Sequence, residues 1–289
     1  MKLCISCTKP LEHASRQCPF CFFEPKRVNG HLAFAPELAA ESEGFEARYF
    51  GPLAELEAAN FWFRSRNRLL VWALQRYFPE ARNFLEIGCG TGFVLSGIHE
   101  ALPELALCGS EVFSAGLSFA AERLPGIELF QMDARRIPFS EEFDVIGAFD
   151  VLEHVNEDEE VLSQMYQATR KRGGILITVP QHPFLWSQVD DYARHVRRYK
   201  VQELRSKVKR AGFDIVRLTS FVSLLLPLLM LSRLKQRFHS KEFDPLAEFD
   251  VSPLMNTTLE RILDGERAVI RAGLSFPTGG SLLLVARRS

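Results

Sequence analysis

Little in this sequence points to a membrane span, a secretory route or a nucleic-acid scaffold. No run reaches the ~18 to 20 apolar residues that a bilayer crossing requires, and the opening MKLCISCTKP lacks the apolar core of a signal peptide. Net charge is −1 with 25% charged residues, so there is no global basic field to draw the chain onto nucleic acid. Local basic patches are all that such a composition leaves. Internal repeats and low-complexity tracts are also missing. These absences predict a cytoplasmic globular protein and weigh against a nucleic-acid partner. Its 289 residues suffice for one sizeable α/β domain with small additions.

Cysteine is scarce, and its placement is uneven. Of six cysteines, four form two C-x-x-C pairs, Cys4 with Cys7 and Cys18 with Cys21. Each pair can offer two thiolates to one tetrahedral ion, and four sulfurs suit zinc. A structural zinc ribbon is therefore expected over residues 1–24, with no coordination position left open for chemistry. Two disulfides or an iron site are the alternatives. Residues 25–44, broken by Pro25, Gly30 and Pro36, read as a linker into a domain over 45–289.

That domain centres on FLEIGCGTG, residues 84–92, an apolar run that stops at a carboxylate and turns through Gly88, Gly90 and Gly92. A strand followed by a helix-opening loop fits it, with glycines allowing a ligand close to the backbone. The spacing is not G-x-G-x-x-G, since Phe93 stands where the third glycine would fall. Glu86 would repel a diphosphate and suits an ammonium group, so a nicotinamide oxidoreductase is disfavoured.

Downstream, strands and helices alternate. The second strand, 105–111, ends at Glu111, and the third, 127–133, ends at Asp133. The fourth, 143–150, runs into V-L-E-H-V and the acidic helix start N-E-D-E-E. Together with E-x-G-x-G-x-G, this order resembles the class I S-adenosylmethionine-dependent methyltransferases of the small-molecule group, over roughly residues 45–289. The resemblance implies an α/β fold with a doubly wound, mostly parallel, seven-stranded Rossmann-like sheet and an antiparallel final strand at 281–288. It also implies S-adenosylmethionine as cofactor. Glu86 would take the methionine ammonium, and Gly88, Cys89, Gly90 and Gly92 would form the loop. Glu111 with Val112 would meet the ribose, Asp133 with Ala134 the adenine, and Asp150 would lie alongside. Glu111 departs from the commoner aspartate and lengthens the reach. Asp150, Glu153 and His154 also resemble a metal-binding trio of some metal-dependent members, yet V-L-E-H-V occurs in members without metal. Structural, catalytic and metal roles stay open for these three.

The loop over 181–199 carries two histidines, three arginines and two adjacent aspartates after the fifth strand, where substrate loops project in this fold. Methyl transfer to a hydroxyl needs a base near neutrality. His195 and His182 are the candidates, with Arg197, Arg198 and Tyr199 orienting the acceptor. Residues 53–78 read as one helix, and residues 156–172 as another stopped by Gly173-Gly174. The insertion at about 221–277 opens with an apolar segment, 221–238, and a basic tail. It reads as a core helix, a dimer contact, or a lid or membrane-surface contact for an apolar or lipid-linked acceptor. A zinc-ribbon RNA methyltransferase and a non-catalytic cofactor-binding regulator are the rival readings.

Overall fold

The computed structural model describes residues 1–11, 17–40, 46–238 and 251–289, without side chains for 235–238. Parts of the expected ribbon (12–16), linker (41–44) and insertion (239–250) lie outside the described residues.

The chain opens on a hairpin of β1 (Lys2–Leu3) and β2 (Pro10–Leu11). It is docked on the larger domain, because the Leu3 N–H donates to the Pro138 carbonyl at 2.8 Å. The expected linker contains structure. β3 (Arg27–Val28) and β4 (His31–Ala33) form a hairpin around Asn29-Gly30, whose φ angles of 49° and 83° are those an Asn-Gly turn supplies. Phe34 and Ala35 then bury themselves, and the Ala35 N–H donates to Gln131 Oε1 at 3.1 Å.

The helix expected over 53–78 is two helices, α1 (Phe50–Leu56) and α2 (Phe61–Tyr77). Asn60 divides them by accepting the Trp62 N–H at 2.9 Å on its side-chain oxygen, the N-cap arrangement. Then follow β5 (Asn83–Ile87), α3 (Phe93–Ala101), β6 (Ala106–Glu111), α4 (Ser114–Arg123), β7 (Glu128–Gln131), β8 (Phe143–Phe149) and α5 (Asp158–Ala168). The C-terminal part holds β9 (Thr169–Pro180), α6 (Gln188–Tyr192), α7 (Val201–Arg210), β10 (Phe213–Phe221), α8 (Leu226–Phe238), α9 (Pro253–Arg271) and β11 (Ser281–Arg288).

One sheet runs β10-β11-β9-β8-β5-β6-β7-β4-β3. Its seven strands from β10 to β7 are the expected Rossmann-like set, with β11 antiparallel between β9 and β10. The N-terminal hairpin adds two more, β4 pairing in parallel with β7. Lys171-Arg172-Gly173-Gly174 does not end a helix but belongs to β9. A Cβ on Gly174 would lie 2.2 Å from the Ala286 carbonyl, so close strand approach is what requires glycine there.

Period-two alternation divides the core between the two faces of the sheet. Leu85, Ile146, Ile177 and Leu284 pack under α5 and α7, while their neighbours Phe84, Val145, Leu176 and Leu283 pack under α2, α3 and α4. With both faces covered, the parallel strands are mostly apolar, and their carboxyl ends, where Glu86 and Glu111 stand, are left to form the crevice. α9 lies along α2, with Glu260 accepting from Arg68 at 2.7 Å and pairing with Arg64. Among the described residues no helix is long and apolar enough to cross a membrane.

Candidate active site

The β5–α3 turn is built on left-handed backbone. Gly88, Gly90 and Gly92 have φ of 66°, 52° and 76°. A Cβ on Gly88 would also meet Val151 Cγ2 at 2.5 Å. Gly88, Cys89 and Gly90 line a cavity of about 690 Å³ at the carboxyl ends of β5, β6 and β8. Gly92 does not line it and instead opens α3 against Ala120.

Carboxylates surround the cavity. Glu86 is 2% exposed and its Oε2 has no hydrogen-bond partner among the described residues. Burial pushes its carboxyl well above the usual range, against the pull of Arg66. An ammonium group would give that oxygen its missing partner. Glu111 is buried and accepts the N–H groups of Gly90 (3.1 Å), Val112 (2.8 Å) and Phe113 (3.2 Å). It thereby ties the end of β6 to the glycine loop. Asp133 accepts the Arg135 N–H at 2.9 Å and its guanidinium at 3.0 Å, so an adenine amine would share it with Arg135. Val112 and Ala134 line the same wall.

Asp150 faces the cavity with φ of 58° and pairs with Arg66 at 2.9 Å. Arg66 in turn lies over the Trp62 ring, 4.9 Å from its centroid, the two residues being one helical turn apart on α2. Trp62, Phe63, Val151 and Val155 give this end of the cavity an apolar wall. Arg66 and Glu57, whose carboxylate accepts from Thr91 Oγ1 at 2.6 Å and Arg123 at 2.9 Å, were not singled out in the sequence. The i, i+4 spacing of Trp62 and Arg66 was the available signal for the first.

The loop after β9 brings one of its two histidines to the cavity. His195 lines it, and its Nδ1 lies 2.9 Å from Asp190 Oδ1. Burial opposes ionisation of Asp190, but His195 and Arg198 hold its carboxyl down at about 2. A carboxylate only accepts, so Nδ1 is the donor of this pair, and in the neutral tautomer that the pair selects Nε2 is the acceptor nitrogen. Arg198 binds Asp190 at 2.7 Å and Arg194 pairs with Glu46 at 2.6 Å. Asp190 itself was missed, although Ser187-x-x-Asp190 is a capping box.

The other expected catalytic groups lie elsewhere. His182 bonds Thr278 Oγ1 at 2.7 Å and is absent from the cavity wall. Tyr199 is fully buried, its hydroxyl donating to Asp158, which Arg197 and Lys207 also pair. Tyr199 and Arg197 are struts of the domain, because an apolar ring with one polar tip buries well beside an ionised carboxylate.

The trio Asp150, Glu153 and His154 does not assemble, since Asp150 is taken by Arg66. Glu153, His154 and His195 do, with ligand atoms within 4.8 Å of one another. Glu153 is fully buried with neither oxygen bonded among the described residues, and burial together with Asp150 pushes its carboxyl well up. Burial and the neighbouring His195 push His154 down to about 3, leaving a neutral imidazole. In the ribbon, Cys4 and Cys21 sulfurs lie 3.6 Å apart, as do those of Cys7 and Cys18. A disulfide needs ~2.05 Å; tetrahedral sulfurs at ~2.3 Å from zinc stand ~3.8 Å apart.

A family profile described as methyltransferase domain matches residues 55–218. The chain belongs to the class I S-adenosylmethionine-dependent methyltransferases. It is 23% identical over 165 residues to a probable S-adenosylmethionine-dependent methyltransferase of Mycolicibacterium smegmatis, covering 55% of this chain and 62% of the relative. It is 36% identical over 103 residues to a phosphatidylethanolamine N-methyltransferase of Cereibacter sphaeroides, covering 32% and 48%. The matches thus span less than two thirds of either relative. The fold is also that of a possible histamine N-methyltransferase of Thermotoga maritima (TM-score 0.53, 15% identity, 84% of this chain and 97% of that one). Phosphoethanolamine N-methyltransferase 2 of Haemonchus contortus, solved with S-adenosylmethionine, shares it too (TM-score 0.52, 19% identity, 77% and 52%).

Proposed function

We propose that the protein transfers the methyl group of S-adenosylmethionine to a small, largely apolar acceptor, lipid-linked acceptors included. The observation that carries this reading is a single cavity joining Glu86 and the glycine loop to the Asp190-braced imidazole of His195 across an apolar wall. The cofactor, when bound, supplies a methyl group on a sulfonium whose C–S bond breaks as the acceptor bonds to carbon. Glu86 would hold its ammonium, Gly88 and Gly90 would let it approach the backbone, and Glu111 and Asp133 would address the nucleoside. His195 Nε2 takes the acceptor's proton, and Asp190 stabilises the imidazolium that forms. Trp62, Phe63, Val151 and Val155 exclude water around the acceptor.

The test is calorimetry with S-adenosylmethionine, followed by transfer of labelled methyl to extracted lipids and small molecules. Binding without transfer in the presence of candidate acceptors would favour a regulator, and no binding would end the reading. His195→Ala should bind the cofactor normally and lose turnover.

A second reading rests on the unbonded carboxylate of Glu153. Glu153, His154 and His195 form a donor set suited to a divalent cation, which would supply Lewis-acid polarisation of an acceptor oxygen. Calorimetry with magnesium, manganese and zinc on the wild type and Glu153→Gln decides between a ligand set and a base. For the ribbon we infer one structural zinc on Cys4, Cys7, Cys18 and Cys21, supported by the sulfur spacing.

A further inference from the structure

α8 is built inside out. Counting from Leu224 just before it, Leu228, Leu231 and Leu234 fall on one helical stripe, with Met230 beside them, and these five are 47% to 57% exposed. Pro227 is exposed on the same side, so every outward position from 227 to 234 is apolar. The helix's charged residue in this stretch, Arg233, is instead 7% exposed. A surface helix in water shows the reverse arrangement. Inward, Leu225 packs with Leu259, Leu263 and Phe61. The helix is thus anchored to α9 and to the start of α2, and its free side is greasy.

We propose that this face docks on an anionic lipid surface. Charge selects the occupant. From Phe221 to Ser240 the sequence has no acidic residue, and beyond the buried Arg233 it carries two more basic residues, Lys235 and Arg237. Such a segment matches anionic headgroups and is poorly matched to a second copy of itself. With 13 residues, α8 is ~20 Å long, enough to lie in the interface and too short to cross it. Its position serves the site, since Trp62 and Arg66 line both the main cavity and a small cleft bounded by Phe221, Val222 and Leu263 at the root of the insertion. The docking face rests on the lipid-linked acceptor reading for its purpose and stands on its own geometry.

The experiment is flotation of the full chain with vesicles of phosphatidylcholine alone and of equimolar phosphatidylcholine and phosphatidylglycerol. The wild type should float with the anionic vesicles, weakly with the neutral ones, and less as salt is raised. Leu228→Asp with Leu231→Asp should lower partition at least about tenfold, with circular dichroism and calorimetric affinity for S-adenosylmethionine unchanged. Absence of wild-type flotation, or equal flotation by the double variant, overturns the proposal. So does a wild-type dimer that the substitutions dissociate without any vesicle binding, which makes the face a self-interface. If the wild type floats but binds no S-adenosylmethionine, docking holds and the methyl-transfer reading falls.

Discussion

Replacing Glu86 by glutamine should weaken S-adenosylmethionine binding while relieving the empty fold. The side chain is 2% exposed with Oε2 unbonded among the described residues, and burial raises its carboxyl well above the usual glutamate range. The empty protein therefore keeps this proton at pH values where an exposed glutamate has lost it. A cofactor ammonium requires the carboxylate, so binding expels the proton. Affinity should rise tenfold, about 1.4 kcal/mol, per pH unit above the ordinary glutamate range and level off at the raised value. Stability of the empty protein should move the other way. The folded pKa lies above the unfolded one, so this contribution is complete below the ordinary value and is lost as pH rises through the raised one. Glutamine removes both slopes. On the plateau the missing charge-assisted hydrogen bond should cost roughly 1.5–3 kcal/mol, about 10- to 150-fold in Kd. Calorimetry in two buffers of different ionisation enthalpy counts the released proton, and urea unfolding across pH reads the stability slope. A wild-type heat independent of buffer, or wild-type affinity in Glu86→Gln, would refute the reasoning.

Asp190→Asn should lower turnover by about 10²- to 10⁴-fold with cofactor affinity within a factor of two or so, because an amide whose oxygen stays on the Ser187 N–H turns its NH2 to His195 Nδ1, fixes the other tautomer and removes the charge that stabilises the imidazolium; unchanged steady-state rates would remove His195 as the base. Tyr199→Phe should cost about 1–3 kcal/mol in urea unfolding, from a buried Asp158 losing one donor, and leave kcat intact; a loss confined to kcat would return Tyr199 to the catalytic set. Elemental analysis should find one zinc per chain, absent in Cys18→Ser, and hydrogen exchange should show the Leu3 amide losing protection in that variant; a metal-free wild type with a protected Leu3 would count against a structural ion.

The parts of this molecule that could be read in the sequence are those governed by local pattern. Glycines at 88, 90 and 92 after an apolar strand dictate a turn, and two-residue alternation dictates strands buried on both faces. Glu86 was legible because it precedes that turn by a fixed offset. What could not be read depends on partners distant in the chain. Tyr199 looks like a site residue until Asp158 is seen beneath it, and His182 until Thr278 is. Asp150 was grouped with Glu153 and His154 by resemblance to a metal-binding trio, whereas Arg66, more than eighty residues earlier, pairs with its carboxylate. Glycines 173 and 174 carry no local mark that separates a helix stop from a strand passing close to Ala286. The 25–44 segment misled for a related reason: Pro25, Gly30 and Pro36 break helices, but Gly30 also makes the hairpin that lets β4 reach β7.

That hairpin changes what can be cut away. Without it, β7 would be the last strand of the sheet, with the backbone of Glu-Leu-Phe-Gln open to any extended chain. β4 occupies the bonding groups of Phe130 and Gln131, and β3, two residues long, closes the border with too little length to recruit a stranger. A truncated chain beginning at residue 46 would keep every cavity residue except Leu38 and yet present a fresh adhesive border. The N-terminal segment thus works as a selvedge, keeping a catalytic cloth from fraying into its neighbours.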